Sequence, residues 1–353
     1  MSRLTDRFDL RLPVIQAPLA GGGDTPEMTA AVSNAGGLGS IGAAYLTPEA
    51  IEAAGAAVRR ATDRPFAINL FAPVENPPPP PADDAIARTA GFFERLGLPR
   101  PVAPQGGGFV LDDQVEAALT TGASLFSFTF GLMPDQHLQR FRAAGMAIAG
   151  TATTVREAEL LADAGCDMVI AQGAEAGGHR GSFADGFEAG AVGSMALVPQ
   201  MVDALDMPVI ASGGIMDGRG IAAALALGAA GVQMGTAFLS CAEAGIPEAY
   251  RARLRGGRDH ETRITRAFSG RPARGLVNDF MRHVDAAPEA ILPFPYQNAL
   301  TRPLRAAAAK AGEVEVLSLW AGQGVGLSRD LPAADLLARL ERELAEARRR
   351  LAS

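Results

Sequence analysis

One pattern constrains this chain more than any other. Between Pro13 and about Phe238 a short apolar run, a turn of Gly, Ser, Thr, Asn or Pro, and an Ala-rich stretch with helical spacing recur eight times. The predicted strands are Val14–Ala17, Leu38–Ala43, Phe66–Phe71, Ser124–Phe128, Met146–Gly150, Met168–Gln172, Val209–Ser212 and Gly231–Met234. Strands that alternate with helices pair in parallel, because each return to the sheet needs a crossover. Eight such units predict closure into a (β/α)8 barrel of the α/β class. Thr25-Pro26-Glu27 opens the first helix and Ala35-Gly36-Gly37 closes it, as helix punctuation requires.

Composition narrows what such a barrel does. Apolar residues are 48% and charged residues 20%, enough for a large core and unlike a disordered or fibrous chain. Lys and Arg total 32 against 39 Asp and Glu, a net charge of −7, which argues against nucleic acid or an acidic membrane as partner. Cys166 and Cys241 are too few for a disulfide framework or a cysteine metal site. No apolar run approaches the ~18 residues of a membrane span, and the opening MSRLTDRFDLRLP lacks a signal-like stretch, so a reduced, cytoplasmic protein is expected.

Two segments interrupt the repeat. An insertion at 74–112 holds the prolines Pro77 to Pro81, a stiff spacer, then a helical stretch and Gln105-Gly106-Gly107-Gly108. The segment 244–310 is predicted helical and charged, with Arg251, Arg253, Arg255 and Arg258 on a solvated face. Residues 311–353 end in an amphipathic helix that carries Leu336, Leu337, Leu340 and Leu344 on one side and returns to the barrel over 1–243.

Chemistry in such a barrel sits at the carboxyl ends of its strands. The seventh predicted strand ends in Ser212-Gly213-Gly214-Ile215 and the eighth in Gln233-Met234-Gly235-Thr236. Glycine turns that each open a helix present backbone N–H groups to a phosphate, and Thr236 adds a hydroxyl. The alternative, glycines that merely permit tight turns, is weaker when two such turns are neighbours. Asn69 and Gln172 put amides at strand tips, where they suit a ring edge that both donates and accepts, or simply satisfy loop backbone. His179, flanked by Gly178 and Arg180, is the candidate acid or base. His137, His260 and His283 read as packing or surface residues, and Glu175 as a helix cap, a salt bridge or a ligand. No metal site is expected. The tract Ser318 to Gly324 holds the single tryptophan and lies against either a cofactor edge or the barrel rim. Phe294, Tyr296 and Gln297 either line the pocket or pack beside prolines.

The sequence resembles the nitronate monooxygenase (2-nitropropane dioxygenase) family of the class I bacterial type. The likeness rests on Gln16-Ala17-Pro18, Ser33 to Gly39, Gln172-Gly173 with Ala176-Gly177-Gly178-His179-Arg180-Gly181, Ala211 to Ile215, Gln233-Met234-Gly235-Thr236, Ser269 to Gly275 and Trp320 to Gln323. It implies a TIM barrel that binds FMN, with a second, mostly helical lid domain. Ala17, Pro18 and Leu19 would run beside the flavin, where the family often has Met at the position of Leu19. Asn69, Gln172 and Gly177 would contact it, and Gly213, Gly214 and Gln233, Met234, Gly235 and Thr236 would hold its phosphate. His179 would face the substrate. The implied reaction is oxidation of an alkyl nitronate or nitroalkane by O2 to a carbonyl compound and nitrite, without NAD(P)H. An FMN-dependent NAD(P)H reductase, either NADH:quinone reductase or the flavin-type enoyl reductase, is the nearest alternative. A flavin-free aldolase or isomerase that binds a sugar phosphate is disfavoured, because this chain has no strand-end lysine for a Schiff base. Monomer and homodimer both stay open.

Overall fold

The computed structural model describes residues 4–73, 78–105 and 110–352. Pro77 and Gly106 to Gly108 of the insertion lie outside the described residues. Eight strands form one parallel sheet: β1 (Val14–Gln16), β2 (Gly39–Gly42), β3 (Phe66–Phe71), β4 (Leu125–Thr129), β5 (Ala147–Ala152), β6 (Met168–Gln172), β8 (Val209–Ser212) and β9 (Gly231–Met234). Each matches a strand predicted from the repeat, with ends moved by a residue or two. Strands follow one another around the sheet from β2 to β6, β8 and β9, then β1. A parallel bridge between Ile15 and Leu38 brings β1 back to β2 and nearly closes the barrel.

The inside and outside of that sheet are filled differently. Ile15, Leu38, Ala67, Leu125, Ala149, Met168, Ile170 and Ile210 form the interior layer, and Leu4 and Phe8 of the first short helix pack on it from below. Full burial of an Ile or Leu stabilises by roughly 1.5–3 kcal/mol. The outer layer packs strands against helices that start where the sequence supplies caps: Thr25, Thr47 and Thr154 each accept a backbone N–H of the following turn. Helix Pro26–Asn34 lies so close to β2 that a Cβ on Gly39 would stand 2.1 Å from the Thr29 carbonyl oxygen. No helix is long and apolar enough to cross a membrane among the described residues.

A second, antiparallel sheet stands outside the barrel. It consists of β10 (Thr262–Thr265), β11 (Ala273–Leu276) and the two-residue β7 (Gly178–His179), in the order β10-β11-β7. The segment from 244 to 310 is otherwise helical, with Tyr296–Ala311 its longest helix. Leu336, Leu337, Leu340 and Leu344 of the final helix, Ala333–Ala352, join the barrel's outer core. That helix packs on Gly218–Ala226 and Pro26–Asn34.

Candidate active site

Parallel register aligns the strand tips. Asn69 pairs with Ser127, Gln172 with Ser212, and Ser212 with Gln233. Above them lies a cavity of about 920 Å3 whose wall contains every strand-tip residue singled out from the sequence, from Ala17, Pro18 and Leu19 through Asn69, Gln172, Gly177 and His179 to Gly213, Gly214 and Gln233 to Thr236. That size suits a bound small molecule, since ligand pockets run to roughly 300–1,000 Å3.

The phosphate-binding expectation needs one change. Helix Gly218–Ala226 does not open at the Gly213-Gly214 turn; it begins four residues beyond Gly214, and Asp217 caps it by accepting from Arg219 N and Gly220 N. After Gly235 the helix Thr236–Leu239 has only four residues. A carboxylate thus already occupies the longer helix terminus, which leaves loop amides as the donors for the expected phosphate. The N–H groups of Gly213, Gly214 and Gly235 donate to nothing among the described residues. The Thr236 hydroxyl accepts from Gly322 N at 3.0 Å, which leaves its own proton to give. Gly213 has φ +114, a conformation few other residues adopt, and Gly235 lets the cavity reach its backbone.

His179 is placed by the outer sheet. Gly178 and His179 pair with Arg274 and Ala273, so the imidazole hangs from a ladder that belongs half to the barrel and half to the 244–310 segment. Phe130 and Trp320 flank the ring at centroid distances of 5.9 and 5.4 Å. Its Nε2 lies 2.8 Å from the Ser269 hydroxyl, which also accepts from Arg271 N and stands 3.1 Å from the Arg271 carbonyl. One hydroxyl rotation therefore switches the ring. Turned to Arg271, Ser269 accepts Nε2–H and leaves Nδ1 a bare acceptor; turned to Nε2, it makes Nδ1–H a donor. Desolvation, then the Arg271 and Arg305 guanidiniums, lower the His179 pKa to about 3, so the ring is neutral at physiological pH.

The strand-tip amides are partly committed. Gln172 Nε2 donates to the His179 carbonyl at 3.0 Å and its Oε1 accepts from Gly181 N at 2.9 Å, so this side chain braces the histidine loop and retains one N–H for the cavity. Asn69 donates to Ser127 Oγ at 2.9 Å and keeps its carbonyl oxygen and second N–H. Among the described residues buried Arg180 has no carboxylate partner. Its guanidinium binds the carbonyls of Gln172, Gly173 and Gly190, and its backbone N–H donates to the Pro272 carbonyl. Glu175 takes the helix-cap role, with Ser194 N and Oγ both donating to it.

Sequence reasoning missed the ionisable wall. Arg302 and Arg305 line the cavity from helix Tyr296–Ala311, as do Tyr45 beyond β2 and Asp24 in the loop after β1. Asp24 Oδ2 accepts from Leu19 N at 2.6 Å and Gly42 N at 2.8 Å, yet burial outweighs these bonds and lifts the carboxyl from its ordinary 3.8 to about 6. An acid with a raised folded pKa keeps its proton longer when folded. The fold is therefore unpenalised below the unfolded pKa and loses stability as pH rises through 3.8 to about 6, with the full penalty above. Asp24→Asn keeps an oxygen for both N–H donors and removes the charge. It should raise the stability of the ligand-free protein by roughly 1–2 kcal/mol at pH 8 and by almost nothing near pH 4, read from urea midpoints at the two pH values.

Other candidates separate cleanly. Tyr296 and Gln297 are buried away from the cavity wall, and Gln297 binds the Ala267 carbonyl and Leu292 N, so both pack. Phe294 lines a smaller neighbouring cavity and contacts Phe130. Trp320, Gly322 and Gly324 line the main cavity, and a Cβ on Gly177 would fall 2.5 Å from Gly322 N. His137 is buried against Asp112, while His260 and His283 are exposed. Arg251 is not simply solvated; it holds the Cys241 and Ala244 carbonyls and pairs with Glu248.

An eight-stranded α/β barrel with its cavity at the strand carboxyl ends, walled by unpaired amides and one neutral imidazole, defines a barrel enzyme that acts on a small molecule. The comparisons specify which. The sequence profile of the nitronate monooxygenase family matches residues 1–343, and the chain belongs to that family of oxidoreductases. A probable nitronate monooxygenase of Bacillus subtilis (strain 168) is 40% identical over 352 residues, covering 97% of this chain and 99% of that one. The crystal structure of a nitroalkane oxidase from Streptomyces ansochromogenes is similar at a TM-score of 0.92 and 42% identity, covering 99% of this chain and all of the other. FabK from Thermotoga maritima is similar at a TM-score of 0.78 and 28% identity, covering 100% of this chain and 99% of the other.

Proposed function

We propose that the protein is an FMN-dependent nitronate monooxygenase that oxidises alkyl nitronates, propionate 3-nitronate among them, with O2 to a carbonyl compound and nitrite. The observation that carries this reading is the neutral imidazole in a wall whose cationic charge exceeds its anionic charge. A group with a pKa of about 3 is a feeble base for the α-proton of a neutral nitroalkane. A nitronate arrives already deprotonated and needs donors and positive potential, which His179, Arg305 and Arg271 provide.

The residues fit the cofactor. The unpaired amides of Gly213, Gly214 and Gly235 with the Thr236 hydroxyl would hold the phosphate. Ala17, Pro18 and Leu19 would lie along the ring, with Asn69, Gln172 and Gly177 at its polar edge. Bound there, FMN supplies the electron acceptor for the substrate carbon, and O2 is the terminal oxidant. In the reaction the carbon loses its bond to nitrogen and gains one to oxygen, and nitrogen leaves as nitrite. With the Ser269 hydroxyl turned to Nε2, His179 Nδ1–H is available to a nitro oxygen. The segment 244–310 acts as the lid: its β11 and Ser269 fix the histidine, and its helix Tyr296–Ala311 closes the cavity's cationic side.

Purified protein should be yellow and release FMN rather than FAD on denaturation. It should form nitrite from propionate 3-nitronate in air, and NADH should not bleach it rapidly without oxygen. A colourless protein that cannot be reconstituted overturns the flavin reading. Rapid bleaching by NADH without nitrite formation moves the protein to the reductases, towards which the FabK likeness points.

A further inference from the structure

The charged side chains of the cavity wall do not balance among the described residues. Asp24 is engaged by two backbone N–H groups, whereas Arg302 and Arg305 face no carboxylate. Arg302 is exposed at the rim and makes no hydrogen bond or ion pair among the described residues. Arg305, one turn further along the same helix, is half-buried and among the described residues bonds only Asn298, at 2.6 Å to its side-chain oxygen; its Nε is buried without a partner there. Across from them the Tyr45 hydroxyl is also buried without a partner, within the field of both guanidiniums. Burial, offset in part by Tyr45, pulls the Arg305 pKa down to about 10.

A guanidinium held partly from water without a countercharge, as Arg305 is, costs stability, whereas Arg140 and Arg255 of this chain pair with Glu116 and Asp330. The chain as a whole is acidic, at −7, so a small anion approaching at random is repelled. A cationic rim backed by a second, half-buried cation reverses that field locally, and low-dielectric walls strengthen it. Guanidinium forks and a phenol donor also match the geometry of carboxylate and nitro oxygens.

We infer that Arg302, Arg305 and the Tyr45 hydroxyl form an anion-capture station at the open side of the cavity, which sorts reactants by negative charge before they reach His179. Arg302 captures at the rim, and Arg305 with Tyr45 receives the anion inside. The inference rests on the nitronate reading of the site and adds to it the step that admits the reactant.

The test compares ethyl nitronate, a monoanion, with propionate 3-nitronate, a dianion, on the holoenzyme between about 10 and 300 mM NaCl, a range over which screening changes strongly. Expected is a fall of kcat/KM with salt for both, about twice as steep on a logarithmic scale for the dianion. Arg302→Gln should lower kcat/KM for the dianion about 10-fold at low salt, with the loss in KM rather than kcat, and should flatten the salt slope. Arg302→Lys should retain the slope. Equal slopes for the two substrates, or an Arg302→Gln enzyme indistinguishable from the parent, overturn the inference. A separate calorimetric titration with malonate and acetate, neither of which is oxidised, isolates capture from chemistry. Tighter binding of malonate that is lost in Arg302→Gln supports the station even if neither nitronate is turned over, an outcome that would remove only the proposed reaction. Equal binding of the two, or binding unchanged in the variant, removes the station.

Discussion

His179→Asn is expected to cut nitrite formation from propionate 3-nitronate by about 10²–10³-fold, the usual loss when one donor to a developing charge is removed, while FMN stays bound. The fold should tolerate the change, because His179 is held in β7 by backbone pairing to Ala273, which any side chain permits. Asparagine is shorter than the ring. It reproduces neither the 2.8 Å contact to Ser269 nor the ring contacts with Phe130 and Trp320. The pH dependence follows from the same environment. Burial and the two guanidiniums hold the His179 pKa near 3, so the parent's rate should show no imidazole inflection across roughly pH 5–8, where a free histidine titrates. Initial rates of nitrite release, with flavin absorbance as the occupancy control, read both expectations. Unchanged turnover in the variant would reduce His179 to a loop residue. A steep inflection near 6.5 would mean that the ring is solvated and acts as an ordinary base.

The barrel was legible because its signals are local. Each strand is a run such as Phe66–Phe71 or Met168–Gln172 followed at once by a turn, and both are read within about ten residues. The amides and glycines at the tips were legible for the same reason. What escaped depends on contacts across the chain. β7 has two residues and no periodicity; it exists because Arg180 N meets the Pro272 carbonyl and Ala273 pairs with His179. Ser269, which sets the state of the imidazole, is 90 residues from His179. Arg302 and Arg305 look like any charged helix surface until the fold turns that face of Tyr296–Ala311 to the cavity. The misplaced helix start after Gly214 is a different case. Asp217 before Gly-Arg-Gly is an N-cap signal, and it outranks the glycines as the marker of where that helix begins.

Gly235→Val is expected to weaken FMN binding by about 10- to 100-fold and to leave the fold in place. The backbone at Gly235 has φ −105 and ψ −70, at the margin of the right-handed region, so valine escapes the positive-φ strain that Gly213 would impose. A Cβ there would meet only Ala17 Cβ and Leu19 Cδ2, both at 3.6 Å, an ordinary contact. Both neighbours belong to the cavity wall, so the branch of the valine has the cofactor's space to enter. Overpacking of that kind costs about 1–3 kcal/mol, and each 1.4 kcal/mol is about tenfold in affinity. The stripped protein should therefore unfold at the same midpoint with Gly or Val at 235, and the stabilisation gained on adding FMN should shrink in the variant. Gly213→Val is the contrasting control. Its φ of +114 and a Cβ 3.1 Å from the Gly173 carbonyl oxygen strain the backbone itself, so it should lower the midpoint with or without FMN. If Gly235→Val retains full cofactor occupancy while Gly213→Val unfolds early, the glycine after β9 only shapes a turn and the phosphate binds elsewhere in the cavity.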